Sequence, residues 1–255
     1  MSEQQKVIGG DLARALKGDF QLSLGDTIKQ GFAVTQKHWA PLCLAFIGLI
    51  AINILVFLVI TSNFVSLEQI QQSAQTQLLM NLLQTAISAP FLGGIALMGI
   101  RHSIGLGSKA TDMFDGFSQL LPLVSVSLLS SAIAVVVNQL ALLFHPALTI
   151  LSSLYITSCF MLAVPLVAER KMGPLSALYA SFVIAHKALP QFVLITLCLG
   201  VLLIVAALPL FLGLIWMLPM TYNVIGVLYR DVVGVQVTTD DSAQPTNRNE
   251  DNWSA

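Results

Sequence analysis

Apolar residues dominate this chain in long blocks, and five stretches contain no Asp, Glu, Lys, Arg or His: 40–61, 78–100, 120–144, 147–168 and 191–229. A hydrocarbon core about 30 Å thick takes about 20 helical residues at 1.5 Å rise per residue. Each of the first four stretches therefore suits one membrane-spanning helix. The fifth is nearly twice too long, and it reads as two helices, 191–208 and 210–229, joined by a tight reversal around Pro209 to Gly213. The pattern predicts an all-α, polytopic membrane helical bundle with six transmembrane helices arranged as three hairpins.

A repeat underlies the blocks. "DTIKQGFAVTQKHWAPL" from Asp26, "TDMFDGFSQLLPL" from Thr111 and "PLSALYASFVIAHKALPQF" from Pro174 share one plan. An apolar residue (Ile28, Met113, Leu178) is followed three positions later by a small one (Gly31, Gly116, Ser181) and then by Phe32, Phe117 or Phe182. A proline (Pro41, Pro122, Pro190) then precedes or opens a long apolar run. In the first copy Leu24, Ile28 and Phe32 recur every fourth residue and fall on one helical face. Met113, Phe114, Phe117 and Leu121 align in the second copy, and Leu175, Leu178, Phe182 and Leu189 in the third. Each copy is expected to be an amphipathic helix at the cytoplasmic interface, its apolar stripe at the headgroup boundary, leading into a pair of spans. The second span of each pair carries an interior proline, Pro90, Pro165 or Pro219. Because lipid tolerates the freed carbonyl only when neighbours satisfy it, these spans are expected to face protein.

Composition agrees with a membrane protein and little else. Hydrophobic residues make up 56% and charged residues 10%, against roughly 25% charged in an average soluble domain, and mean hydropathy is +0.81. No polybasic block suggests nucleic acid. Cys43, Cys159 and Cys198 lie inside apolar runs without C-x-x-C spacing, so they read as small hydrophobes. The first 38 residues are polar, with no short apolar core of a cleavable signal.

Charge placement orients the spans. With six crossings, Lys6, Arg14, Lys17, Lys29 and Lys37 fall on the same side as Arg101 and Lys109, as Arg170, Lys171 and Lys187, and as Arg230 and Arg248. All 12 basic residues then share one side, while the segment 62–77 on the other carries Glu68 alone. Cationic loops stay in the cytoplasm, so both termini are expected there. The chain divides into a polar N-terminus (1–21), a six-span membrane domain (22–234) and an acidic tail (235–255) expected to be disordered.

The run "AVPLVAERKMGPLSALYASFVIAHKALPQF", followed by "LGLIWMLPMTYNVIGVLYRDVVG", resembles the YciC-like and related groups of uncharacterised bacterial inner-membrane proteins. These are similar in plan to the membrane domain attached to some glycerophosphodiester phosphodiesterases. The resemblance covers residues 21–234 and implies a multi-pass protein of the bacterial inner (plasma) membrane. It implies no activity and no catalytic residues, and the phosphodiesterase chemistry does not carry over.

The residues themselves offer little chemistry. No ionisable side chain lies within a span, where it would mark a proton relay, ion site or catalytic acid. His38, His102, His145 and His186 are isolated and lack H-E-x-x-H spacing, and no cofactor motif is present. The pairs Asn138 with Gln139, and Tyr222 with Asn223, are the candidate polar interior, open to two readings: interhelical bonding or a solute cavity. At the basic boundary Arg101, Arg170, Lys171, Tyr229 and Arg230 are candidate lipid-headgroup contacts, with plain membrane anchoring as the alternative. The expected function is a non-enzymatic integral protein acting through membrane lipids, a membrane-protein partner or a second copy of itself in envelope maintenance. The alternative is a transporter or channel for a neutral or amphiphilic solute, its proline-bearing spans surrounding a central cavity.

Overall fold

The computed structural model describes residues 6–210 and 212–237. It is almost wholly helical. The only strands among these residues are β1 (Lys6–Ile8) and β2 (Val235–Val237), which form an antiparallel ladder pairing Lys6 with Val237 and Ile8 with Val235. Between them run α1 (Leu12–Lys17), α2 (Leu24–Asn63), α3 (Leu67–Gln72) and α4 (Ala74–Ser103). A 3₁₀ helix (Ala110–Gln119) is followed by α5 (Leu120–Phe144), α6 (Pro146–Phe160) and α7 (Ala163–Arg170). The last helices are α8 (Pro174–Lys187), α9 (Leu189–Ala207) and α10 (Leu214–Val232). The tail from residue 238 lies outside the described residues; its first three residues, expected to be disordered, form β2 instead.

The prolines of the repeat explain where the spans begin. Non-helical backbone occurs at His38 (φ −128°, ψ 27°), Gln119 (φ −122°, ψ 35°) and Ala188 (φ −137°, ψ 43°). Pro41, Pro122 and Pro190 follow within three residues. A proline cannot donate to the carbonyl four residues back, yet fits the first turn of a new helix, so each one ends the repeat helix and opens the span. Pro146 and Pro174 open α6 and α8 in the same way.

Five helical segments are long and apolar enough to cross a membrane: 24–63, 74–103, 110–144, 146–170 and 189–207. The sixth expected span, α10, has 19 residues, but Asn223, Arg230 and Asp231 lie within that length and lower its apolarity. The reversal expected near Pro209 is present, since α9 ends at Ala207 and α10 begins at Leu214, with Leu210 between them at φ 50°.

Of the helical members that come second in the three units, α4, the α6–α7 pair and α10, α4 packs on both of the others. α4 and α10 approach at backbone distance through two glycines. A Cβ on Gly99 would lie 2.4 Å from the Tyr222 carbonyl oxygen, and one on Gly226 would lie 2.1 Å from that of Gly99. The repeat helices pack on these members in cyclic order, each on the preceding unit. Gly116 of the 3₁₀ helix lies against Pro90 of α4, where an added Cβ would be 1.9 Å from the proline carbonyl. Ser181 of α8 donates to the Cys159 carbonyl (2.7 Å) at the end of α6 and accepts from the Leu162 amide (3.2 Å). Gly31 of α2 closes the circle against Val224 of α10.

This arrangement gives each repeat helix a buried face beside its apolar stripe. Its small residue is buried in every copy, and the apolar residue three before it is buried (Met113, Leu178) or half-buried (Ile28). The phenylalanine points outward: Phe32, Phe117 and Phe182 are 43, 42 and 39% exposed. The copies are thus helices clamped by a small-residue face, with Phe32, Phe114, Phe117, Leu121, Leu175 and Phe182 of the apolar stripes left exposed. α1 is also drawn into the body, where Ala15 belongs to the main core. The polar N-terminus is therefore folded structure from Lys6 onward.

Candidate functional site at the basic end of the bundle

α4, α7 and α10 each end at or near an arginine, and the structure brings all three to one end of the molecule. Arg101, at the end of α4, pairs with Asp115 (2.8 Å) and Asp112 (3.3 Å) of the following 3₁₀ helix. Arg170, at the end of α7, donates through Nη2 to the carbonyls of Gly234 (2.9 Å) and Val233 (3.1 Å). Arg230 donates to the Ser103 carbonyl (2.6 Å), to Gln30 Oε1 (2.7 Å) and to its neighbour Asp231. Two of these side chains are mostly enclosed, with 12% exposure at Arg170 and 19% at Arg230. Their charges are used within the protein.

Glu169 organises the join between α7, α10 and β2. Its Oε2 accepts from the Tyr229 hydroxyl (2.8 Å) and stands 3.0 Å from Arg170 Nε, while Oε1 accepts from the Gln236 amide (2.7 Å). The Arg170 Nε contact is an ion pair off the line of a hydrogen bond. Tyr229 is completely buried. That corrects its assignment as a headgroup contact, because the hydroxyl expected at the membrane surface is directed inward at a carboxylate. Lys171 differs: it caps α7 in the left-handed conformation (φ 53°) and is exposed. Beside it lies a cleft of about 1070 Å³ whose lining includes Arg101, Lys109, Lys171, Asp112, Asp115 and Glu169. Three cations and three carboxylates balance there, so the cleft is not a field of uncompensated positive charge.

Beneath this end runs a buried chain of hydrogen bonds. Ser108 Oγ meets His102 Nε2 (2.7 Å), and His102 Nδ1 meets Asn223 Oδ1 (3.0 Å). Asn223 Nδ2 donates to Thr35 Oγ1 (3.0 Å), which donates to the Gly31 carbonyl (2.7 Å). The directions follow from the far end. Thr35 must spend its one hydroxyl proton on the carbonyl, so it accepts from the asparagine amide. Asparagine then offers its oxygen to histidine, and Nδ1 carries the proton. His38, at the break in α2, stacks on His102 with ring centroids 4.7 Å apart. The chain ends on a main-chain carbonyl, which has no proton to pass on, so it joins α2, α4 and α10 without forming a relay.

The candidate interior residues do not converge. Asn223 is fully buried in that chain, and Tyr222 packs edge-on to Phe46, with centroids 5.3 Å apart. Asn138 is near the opposite end, where its Oδ1 accepts from Ser152 (2.6 Å) and Ser153 (3.2 Å) and fastens α5 to α6; Gln139 beside it is exposed. Thr35, His102, Ser108, Ser181 and Glu169 were not among the candidates from sequence. The small-residue position of the repeat marks Ser181, and Glu169–Arg170 at a helix end is a legible charge pair. Nothing local marks Thr35, whose side-chain partner Asn223 is remote, or Ser108, which lies in the loop after α4. No family model, curated protein or solved structure matches this chain.

Proposed function

We propose that this is a six-span protein of the bacterial inner membrane with both termini cytoplasmic. It acts without catalysis, through lipids or a partner protein, in maintaining the envelope. The observation that carries the non-conducting reading is the contact of α4 with α10 through Gly99 and Gly226. Helices at backbone distance leave no passage between them, and the polar groups nearest that contact are spent on one another. The even number of crossings draws support from the β1–β2 ladder, because a chain that crosses an odd number of times ends opposite its start. That makes α10 the sixth span, long enough at 19 residues for a core of about 20. Headgroup contact then falls to Lys171 and Arg101, the most exposed of the five candidates.

Reconstitution tests this reading against the transporter alternative. Proteoliposomes subjected to a glycerol or sucrose gradient should relax at the rate of protein-free vesicles, followed by stopped-flow light scattering. Acceleration that scales with protein content would overturn the non-conducting reading.

A further inference from the structure

Away from the basic end, α2 and α4 part company. Their close packing, Leu42, Ala45, Phe46 and Leu49 against Phe91, Ile95 and Met98, ends at the hydrogen bond from Ser88 Oγ to Asn53 Oδ1 (3.1 Å). Beyond that bond the helices enclose a groove of about 580 Å³, within the usual range for a small-molecule site. One wall is Ile50, Ile54 and Phe57, which are 49, 54 and 43% exposed; the other includes Met80, Leu83 and Gln84. Both walls belong to segments apolar enough to cross a membrane, so the mouth opens where hydrocarbon is the solvent.

The polar groups of the groove are not equally satisfied. Asn53 donates to the Leu49 carbonyl (2.9 Å) while accepting from Ser88. Gln84, one turn along α4 from Ser88, also lines the groove, and its carboxamide has no hydrogen-bond partner among the described residues. A carboxamide surrounded by hydrocarbon is costly unless a partner is supplied. Gln84 offers a donor and an acceptor beside a slot shaped for a chain.

We propose that this groove holds one acyl chain of a bilayer glycerophospholipid, with the chain along Ile50, Ile54 and Phe57 and the ester carbonyl accepting from Gln84 Nε2. The inference rests on α2 and α4 lying in the membrane, and not on whether the protein conducts. The groove supplies shape and apolar contact, and Gln84 sets how deep the ester sits. Recognition here is of the lipid's acyl and ester region and does not involve the headgroup, so the basic end plays no part in it.

The test uses the full-length protein in bilayers containing a phosphatidylethanolamine with a diazirine in mid-chain, irradiated and mapped by peptide mass spectrometry. Cross-links should concentrate on residues 49–60 and 80–88. Filling the slot with Ile54→Trp should lower the yield there at least ten-fold, and Gln84→Leu about five-fold, the net worth of one hydrogen bond. Leu143→Trp, at an outward position 81% exposed on α5, should leave the yield unchanged. Unfolding temperature in detergent shows which variants have folded. If Ile54→Trp does not fold, Ile54→Cys carries the test: a lipid-filled groove protects it from a water-soluble methanethiosulfonate, and rapid modification means water fills the groove and overturns the proposal. Cross-links spread over all lipid-facing helices and unaffected by the variants would also overturn it while leaving the membrane reading intact. Labelling by a diazirine fatty acid but not by the phospholipid would refute the glycerophospholipid assignment.

Discussion

At the scale of single residues, small side chains and buried polar groups set the geometry. Gly226 and Gly99 exist as glycines because a methyl on either would meet a main-chain carbonyl within 2.4 Å. Gly226→Ala should therefore lower the unfolding free energy by about 1–3 kcal/mol, the usual cost of overpacking. Gly200, in the interior of α9, has nothing within 4 Å of an added Cβ. Gly200→Ala should raise stability by about 0.5–1 kcal/mol through helix propensity. Thermal unfolding in detergent measures both, and equal effects at the two sites would contradict the packing assigned to the α4–α10 contact. Asn223→Leu strands His102 Nδ1–H with no acceptor and removes the donor to Thr35, so it should cost about 1–3 kcal/mol by the same measurement. An unchanged unfolding temperature would mean the buried chain contributes nothing to the join. These residues were only partly legible in sequence. The asparagine was singled out for its polarity at membrane depth, but its partners stand 121 and 188 positions away, and no local pattern encodes such distances.

At the scale of elements, the repeat is the best-read feature, and its buried small-residue face is the part that no local pattern revealed. Three helices, three breaks and three prolines follow from local chemistry, since proline's missing donor acts wherever the residue stands. Which face of each helix is buried depends on the neighbour it meets. Here the neighbour is the preceding unit's second span, and close approach selects Gly31, Gly116 and Ser181 over the phenylalanines. The terminal strand depends on a clamp of the same remote kind. Arg170 holds the Val233 and Gly234 carbonyls, and Glu169 holds the Gln236 amide. Arg170→Met removes two charge-assisted bonds and leaves Glu169, 8% exposed, without its ion partner. At about 1.5–3 kcal/mol for hydrogen bonds to a charged group, amide exchange should quicken by about 10- to 100-fold in Val235–Val237. It should quicken equally in Lys6–Ile8, because the two strands are paired. Acceleration confined to β2 would contradict the ladder.

At the scale of the whole molecule, three units form a ring, each beginning with a helix clamped on the unit before it, with the two described strands near the chain ends tied together. Apolar run length made the helical class and most spans readable, because a membrane demands about 20 residues whatever the tertiary contacts. The ring was not readable, since it is defined by contacts between Gly31 and Val224 or between Lys6 and Val237 that span the whole sequence. The central claim is that β1 and β2 lie on one side of the membrane, with α10 as the sixth crossing. The most direct measurement is labelling by a membrane-impermeant maleimide in intact and permeabilised cells. In a variant with Cys43, Cys159 and Cys198 replaced, single cysteines would be placed at Asp19, Glu68, Lys109, His145, Lys171 and Gln236. With six crossings, the Glu68 and His145 positions should label in intact cells, and the Asp19, Lys109, Lys171 and Gln236 positions only after permeabilisation. Labelling at Gln236 in intact cells while Asp19 stays protected would put the ends of the chain on opposite sides and contradict it.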